Sequence, residues 1–194
     1  MNIKSILYLD KPGKAGCPAC LAAAAARAVE LKLEHAVVAS SSGRTALDLA
    51  AALKKAGSKA RVIAVSYAAN YAAKWVRLDP RIKARAGKLG VTFMTAGHAM
   101  SGINTAIQEE FGGWTPNKIV AGAYYTIGHG FKVALEVSVM AADQGLVPTN
   151  KEILALGGSG KGADTALVLT PACSSEFFGL HVHEIACMPR IAKS

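Results

Sequence analysis

The densest cluster of chemically capable residues is Ser40-Ser41-Ser42-Gly43-Arg44-Thr45, which follows the apolar run HAVVA and precedes a helical pattern. At a helix N-terminus the first backbone N–H groups lack partners and carry partial positive charge, so an anion there is stabilised. The serines and Thr45 add hydroxyl donors, Gly43 permits close approach, and Arg44 can clamp a phosphate through two parallel N–H bonds. An ordinary N-cap requires only one of these serines. The accumulation of hydroxyls, glycine and arginine favours anion binding.

Two further loops carry suitable residues. Gly157-Gly158-Ser159-Gly160-Lys161-Gly162-Ala163-Asp164-Thr165 places four glycines around one lysine, a backbone able to form an anion-cradling nest. It does not match the phosphate loop of nucleotide hydrolases, in which Gly-Lys-Ser/Thr opens a helix. A mobile hairpin tip explains it equally well. The third loop is Lys11-Pro12-Gly13, a turn after the first apolar run and at the strand end where open α/β sheets hold ligands.

Cys17-Pro18-Ala19-Cys20 follows a strand and opens a helix, the arrangement of a thiol redox pair, and the helix terminus predicts a lowered pKa for Cys17. Against this, the order of strands and helices does not follow the thioredoxin layout, and buried, inert thiols remain the simpler reading. A metal site would need distant Cys173, Cys187, His181 or His183, which lack paired spacing. His98, after the run VTFMT, and His129, between two glycines, are candidates for ligand contact or proton transfer. Glu136 and Asp143 are available acids. Met140, Trp75 and Trp114 read as packing residues.

The elements that must position these residues follow from the pattern. The runs ILYL, HAVVAS, RVIAVSY and VTFMT alternate with helical stretches, which predicts an α/β domain with parallel strands and helices on both faces. Pro18 sets the first helix to start at residues 17–19 and to end at 31–34. The second helix starts after Gly43 and stops at Gly57. EILALGG and ADTALVLTPA read as a hairpin, which adds an antiparallel strand to the sheet. Lys132 to Met140 alternates like a strand, yet it runs into Ala141-Ala142-Asp143-Gln144-Gly145, a helix end; pattern and length leave it balanced.

With 52% hydrophobic and 18% charged residues, the chain is neither disordered nor a charged linker, and no interior linker or repeat divides it. It reads as one domain, 1–194. No run approaches the roughly 18 apolar residues of a membrane span. The start of the sequence lacks the pattern of a signal peptide, and four cysteines are too few for a disulfide scaffold, so a soluble cytoplasmic domain is expected. The formal net charge is +9, and ten cations lie between Lys54 and Lys88 with Asp79 the only acid among them. Clustered cations suit a phosphate backbone, but no RNA-binding, zinc-finger or helix-turn-helix motif accompanies them. A solvated helix face with attraction for small anions is the preferred reading, and nucleic acid is not the expected partner.

Taken together, Lys11-Pro12-Gly13, VVASSSGRTA, GHGFKVALEVSVMAADQGLVP, EILALGGSGKGADTALVLTPA and EIACMPR give the chain a family likeness. It resembles stand-alone proteins similar to the C-terminal α/β domain of pyruvate kinase. The resemblance covers nearly the whole chain and is most specific from Gly128 to Thr165. It implies three α/β/α layers around a mixed, mostly parallel five-stranded core sheet whose last core strand is antiparallel, with residues 132–144 helical.

In pyruvate kinase the corresponding domain binds a sugar-phosphate effector through a Ser/Thr-rich and a Gly-rich loop; the matching positions are Ser40 to Thr45 and Gly157 to Thr165. The stand-alone family is associated with flavin mononucleotide (FMN), which the resemblance places with its phosphate on the first loop and Tyr67 lining the ring's side. Two segments depart from the pattern: CPAC, and residues 68–83, which lack the glycine-containing loop expected after the tyrosine. Pyruvate kinase activity is not expected, because its chemistry needs a barrel domain for which this sequence has no room.

The expected function is therefore binding of a phosphorylated small molecule, FMN foremost, at the C-terminal edge of the sheet, with self-association compatible. Lys11 or Lys161 would neutralise charge left over by Arg44. The alternatives are a flavin- or CxxC-dependent oxidoreductase and a free regulatory, effector-binding module.

Overall fold

The computed structural model describes residues 3–190. A short strand, β1 (Leu7–Leu9), leads through a 3-10 turn at Gly13–Gly16 into α1 (Cys17–Glu30). Pro18 sits in the first helical positions, where its missing N–H costs nothing. The helix ends without glycine: Lys32 takes the left-handed conformation (φ 52°), and Leu33 N–H returns to the Ala28 carbonyl. Next come β2 (His35–Ala39) and α2 (Arg44–Ala56). Gly57 closes α2 at φ 82°, the terminator expected from the sequence.

β3 (Arg61–Ser66) is followed by α3 (Ala69–Lys74), α4 (Pro80–Gly87) and β4 (Thr92–Thr95). Asp79 caps α4 by accepting from the Arg81 and Ile82 N–H groups. Three helices then return the chain across the sheet: α5 (Ile103–Phe111), α6 (Pro116–Tyr125) and α7 (His129–Asp143). The chain closes with β5 (Ile153–Gly157), β6 (Thr165–Thr170) and β7 (His181–Pro189).

The sheet is mixed, with seven strands in the order β1-β7-β6-β5-β2-β3-β4. β5, β2, β3 and β4 are mutually parallel, and β6 runs antiparallel to both of its neighbours. The sheet is wider than five strands because β7 and β1 extend it beyond β6. Residues 153–157 and 165–170 form the hairpin read from the sequence.

Alternation along the strands divides the core into two layers. Ala36, Val38, Leu154 and Leu156 face α1, α2 and α4, whereas Val37, Ile153 and Ala155 face α6 and α7. The balanced segment is helical: α7 lies against the sheet centre with 12 buried residues among its 15. Burial on nearly every side explains why its sequence shows no clear helical stripe. Among the described residues, no helix is long and apolar enough to cross a membrane.

Two features fix the edge where the loops meet. β2 leads through α2 to β3 on one side, whereas α5–α7 bring the chain back to β5 on the other side of β2. The carboxyl end of β2 is therefore a switch point, the place where open α/β sheets accept ligands. Gly157, at the end of β5, meets α7 so closely that a side chain there would collide with the Gly130 carbonyl. That contact holds the start of α7 against the glycine-rich loop.

Candidate ligand cleft at the carboxyl edge of the sheet

A cleft of about 1160 Å³ opens at the carboxyl ends of β2, β3, β4 and β5. A smaller depression of about 560 Å³ lies at the opposite edge, beside His35 and Arg61 at the starts of β2 and β3. The larger cleft is lined by Ser40, Ser41, Ser42, Arg44, Thr45, Tyr67, His98, His129, Gly158, Lys161, Gly162 and Cys17 among the residues singled out in the sequence.

The serine loop divides its groups between structure and solvent. Ser40 is buried, and its hydroxyl accepts from Ala46 N–H at 3.1 Å, while Ser42 Oγ accepts from Arg44 N–H at 3.4 Å. These two serines act as caps. The N–H groups of Ser41, Ser42 and Thr45 have no protein acceptor among the described residues. With the Ser41 and Thr45 hydroxyls and the exposed Arg44 side chain, they form the loop's open donor set. Gly43 (φ 86°) serves the turn rather than close ligand approach: it is buried, and a side chain would meet Leu78, Ile82 and Phe93.

The glycine-rich loop is organised differently. Asp164 is fully buried; its Oδ2 accepts from Gly13 N–H at 2.7 Å and Ser159 N–H at 3.0 Å, and its Oδ1 from the Thr165 hydroxyl at 3.0 Å. The loop's own carboxylate thus occupies donors that the sequence offered to a ligand. Gly157, Ala163, Asp164 and Thr165 are buried and do not line the cleft; they hold its wall. Gly158, Gly160, Lys161 and Gly162 do line it. At the Lys11-Pro12-Gly13 turn, Lys11 and Pro12 do not line the cleft, Gly13 N–H is committed to Asp164, and Lys14 is the cation that lines it.

Aromatic rings form another wall. Tyr71 is stacked between Trp75 (centroids 4.8 Å, 12° between planes) and His98 (5.1 Å, 13°), and Tyr67 meets Trp75 edge-on at 5.2 Å. Residues 68–83, which lack the expected glycine loop, fold as α3 and α4 and deliver Tyr71 and Trp75. Trp75 and Trp114 are exposed, at 55% and 72%, rather than packed in the core. Trp75 is a ring of the cleft wall. A second pair, Tyr125 and His129, lies with centroids 5.0 Å apart, and His129 Nδ1 lies 3.3 Å from the Gly158 carbonyl.

The charged side chains of the cleft are Lys14, Arg44, Lys132 and Lys161 against Asp48 and Glu136. Lys132 and Glu136 are both buried and form an ion pair at 2.6 Å, while Glu136 Oε1 accepts from Met100 N–H at 2.9 Å. Burial holds the His98 imidazole below its usual pKa, against the pull of the Glu136 carboxylate. Lys14, Asp48, Tyr71, Trp75, Tyr125 and Lys132 are among the lining residues that the sequence does not point to as ligand contacts. For Lys132 a signal exists: it stands four residues before Glu136 within a mostly apolar helix, a spacing that makes an ion pair.

Cys17 and Cys20 both lie in the first turn of α1, and Cys17 lines the cleft. All four cysteines are free; Cys20 is fully buried near Cys187 of β7, whose Sγ donates to the Asp164 carbonyl at 3.8 Å. The neighbouring Cys187 thiol and burial push the Cys20 thiol up. Burial also pushes the Cys17 thiol up, opposed by a backbone hydrogen bond from Ala163 and aided by Asp48 and Asp164. The helix terminus does not produce the lowered value expected from sequence. Among the described residues, no three His, Cys, Asp or Glu side chains gather where a metal ion could sit. No protein-family model matches the chain.

Proposed function

We propose that this cleft binds a phosphorylated small molecule with a planar ring, of which FMN is the leading candidate. The observation that carries this reading is one cleft containing both an open donor set, at Ser41, Ser42, Arg44 and Thr45, and a wall of stacked rings. Unpaired helix-terminal N–H groups and a guanidinium favour phosphate, and stacked aromatic faces favour a flat π-system. The two features occupy the carboxyl edge at a switch point, where the fold leaves a crevice between diverging crossovers.

The residues present fit FMN. Ser41, Ser42, Thr45 and Arg44 would hold its phosphate, with Lys14 and Lys161 adding positive potential. Tyr67, Tyr71, Trp75 and His98 would flank the ring, and the volume exceeds the roughly 300–1,000 Å³ of clefts that take drug-sized ligands. A flavin supplies hydride and electron transfer when bound; this chain's residues supply binding, orientation and a partly desolvated surround. The likeness to pyruvate kinase C-terminal-domain-like proteins, and a cytoplasmic setting, belong to the same proposal.

Native mass spectrometry of protein purified without added cofactor, followed by FMN titration, tests this reading. Expected are a bound species with the mass of FMN, the visible absorption of a flavin, and competition by inorganic phosphate. Protein that neither retains nor binds FMN would overturn the FMN assignment. Binding insensitive to phosphate would move the site away from the serine loop.

A further inference from the structure

We propose that the Lys132–Glu136 pair is a recognition element that reads a carbonyl and an adjacent N–H on the edge of a ring ligand. The inference rests on the reading of the cleft as a ligand site, and it names the polar chemistry that the serine loop does not supply.

Lys132 is 6% exposed, yet its ammonium has three donors and, among the described residues, one hydrogen-bonding partner, Glu136 Oε2. The Tyr125 ring, 5.8 Å away, offers the ammonium a π-face but no hydrogen-bond acceptor. Two N–H bonds of a nearly buried cation are therefore available in a cleft-lining position. Glu136 accepts one bond at each oxygen, from Lys132 and from Met100 N–H, so each oxygen retains a lone pair.

The charge state selects among ligand groups. Glu136 already compensates the ammonium, so the pair offers direction rather than net charge. A neutral acceptor such as a ring carbonyl can take the Lys132 N–H bonds without a second buried anion. A ring N–H beside that carbonyl would match the spare capacity of Glu136. This donor-and-acceptor edge is the one carried by imide-type heterocycles, including the flavin ring and pyrimidine diones. A phosphate at this position would face Glu136 directly, which costs like-charge repulsion in a desolvated setting.

The test uses two probes that separate the cleft's features: lumiflavin, which has the polar ring edge and no phosphate, and phenyl phosphate, which has a phosphate and a featureless ring. Lys132→Met combined with Glu136→Gln removes both charges and retains an acceptor for Met100 N–H. Expected is a roughly 10- to 100-fold weaker lumiflavin affinity, the loss of hydrogen bonds to charged groups, with phenyl phosphate affinity within about twofold of the starting protein. Lys132→Arg keeps the ion pair but re-aims its N–H bonds, so it should also weaken lumiflavin and provides a second variant should the first fail to fold.

Unchanged lumiflavin affinity in a folded variant would overturn the inference and make the pair purely structural, with the phosphate reading intact. Pair-dependent lumiflavin binding without any phenyl phosphate or FMN binding would do the reverse. Starting protein that does not bind lumiflavin at all would overturn the inference outright.

Discussion

The serine loop and the glycine-rich loop contain similar ingredients, small residues and one cation each, yet they do opposite things with their backbone donors. At the serine loop the N–H groups of Ala46 and Arg44 go to the Ser40 and Ser42 hydroxyls, whereas those of the cleft-lining residues Ser41, Ser42 and Thr45 have no protein acceptor among the described residues. Residues 157–165 fold around Asp164, whose carboxylate takes the N–H groups of Ser159 and Gly13. The difference is one acidic side chain. A nest that encloses its own carboxylate acts as a structural staple, whereas one that lacks it can accept an external anion. Composition does not distinguish the two, because it does not tell which way a carboxylate turns.

The largest expected effect follows from breaking the staple. Asp164→Ala leaves buried donors on Gly13, Ser159 and Thr165 without their acceptor and should cost about 3 kcal/mol of stability, read as a shift in the urea unfolding midpoint. Loss of ligand affinity at unchanged stability would instead place Asp164 in the binding site and erase the contrast between the loops.

Next in size is Arg44→Ala. It removes charge-assisted hydrogen bonds to phosphate and should weaken FMN binding by roughly 1.5–3 kcal/mol. The side chain is exposed and makes no ion pair among the described residues, so stability should hardly change. Calorimetric titration beside a thermal melt separates these effects.

The smallest pair divides the serine loop itself. Ser40→Ala deletes the bond to Ala46 N–H and should cost about 1 kcal/mol of stability. Ser41→Ala should leave stability intact and weaken phosphate-bearing ligands by about 1 kcal/mol. The same assignment with the two serines exchanged would mean that the cap and the ligand donor had been confused.

Much of the frame is legible in the sequence. Pro18 and Gly57 mark helix boundaries through backbone constraints that act locally, and the runs at 35–39 and 61–66 are apolar because parallel strands are buried on both faces. β7 was not assigned, since His181, His183 and Glu184 interrupt its apolar pattern; its first half is exposed, and only Ala186, Cys187 and Pro189 are buried. Helix α7 could not be separated from a strand, because periodicity vanishes when a helix is covered almost all round.

The serine loop was visible as a cluster, but its division into caps and open donors depends on tertiary geometry. The aromatic wall was missed for a related reason. Tyr71 lies on the short helix α3 and Trp75 caps its end, whereas His98 follows another strand, and only the adjacency of β3 and β4 brings the rings together. The strand-end position points to Lys11, whereas Lys14, in the 3-10 segment at Gly13–Gly16, is the lysine that lines the cleft.

The central claim is that a ligand phosphate meets the open amides of the serine loop and not the stapled amides of the glycine-rich loop. Amide nitrogen–proton correlation spectra recorded during FMN titration address it residue by residue. The expected result is saturable shifts of the Ser41, Ser42 and Thr45 amides, while the Gly13 and Ser159 amides stay in place. Shifts confined to Gly13 and Ser159, or bound FMN with a silent serine loop, would contradict it.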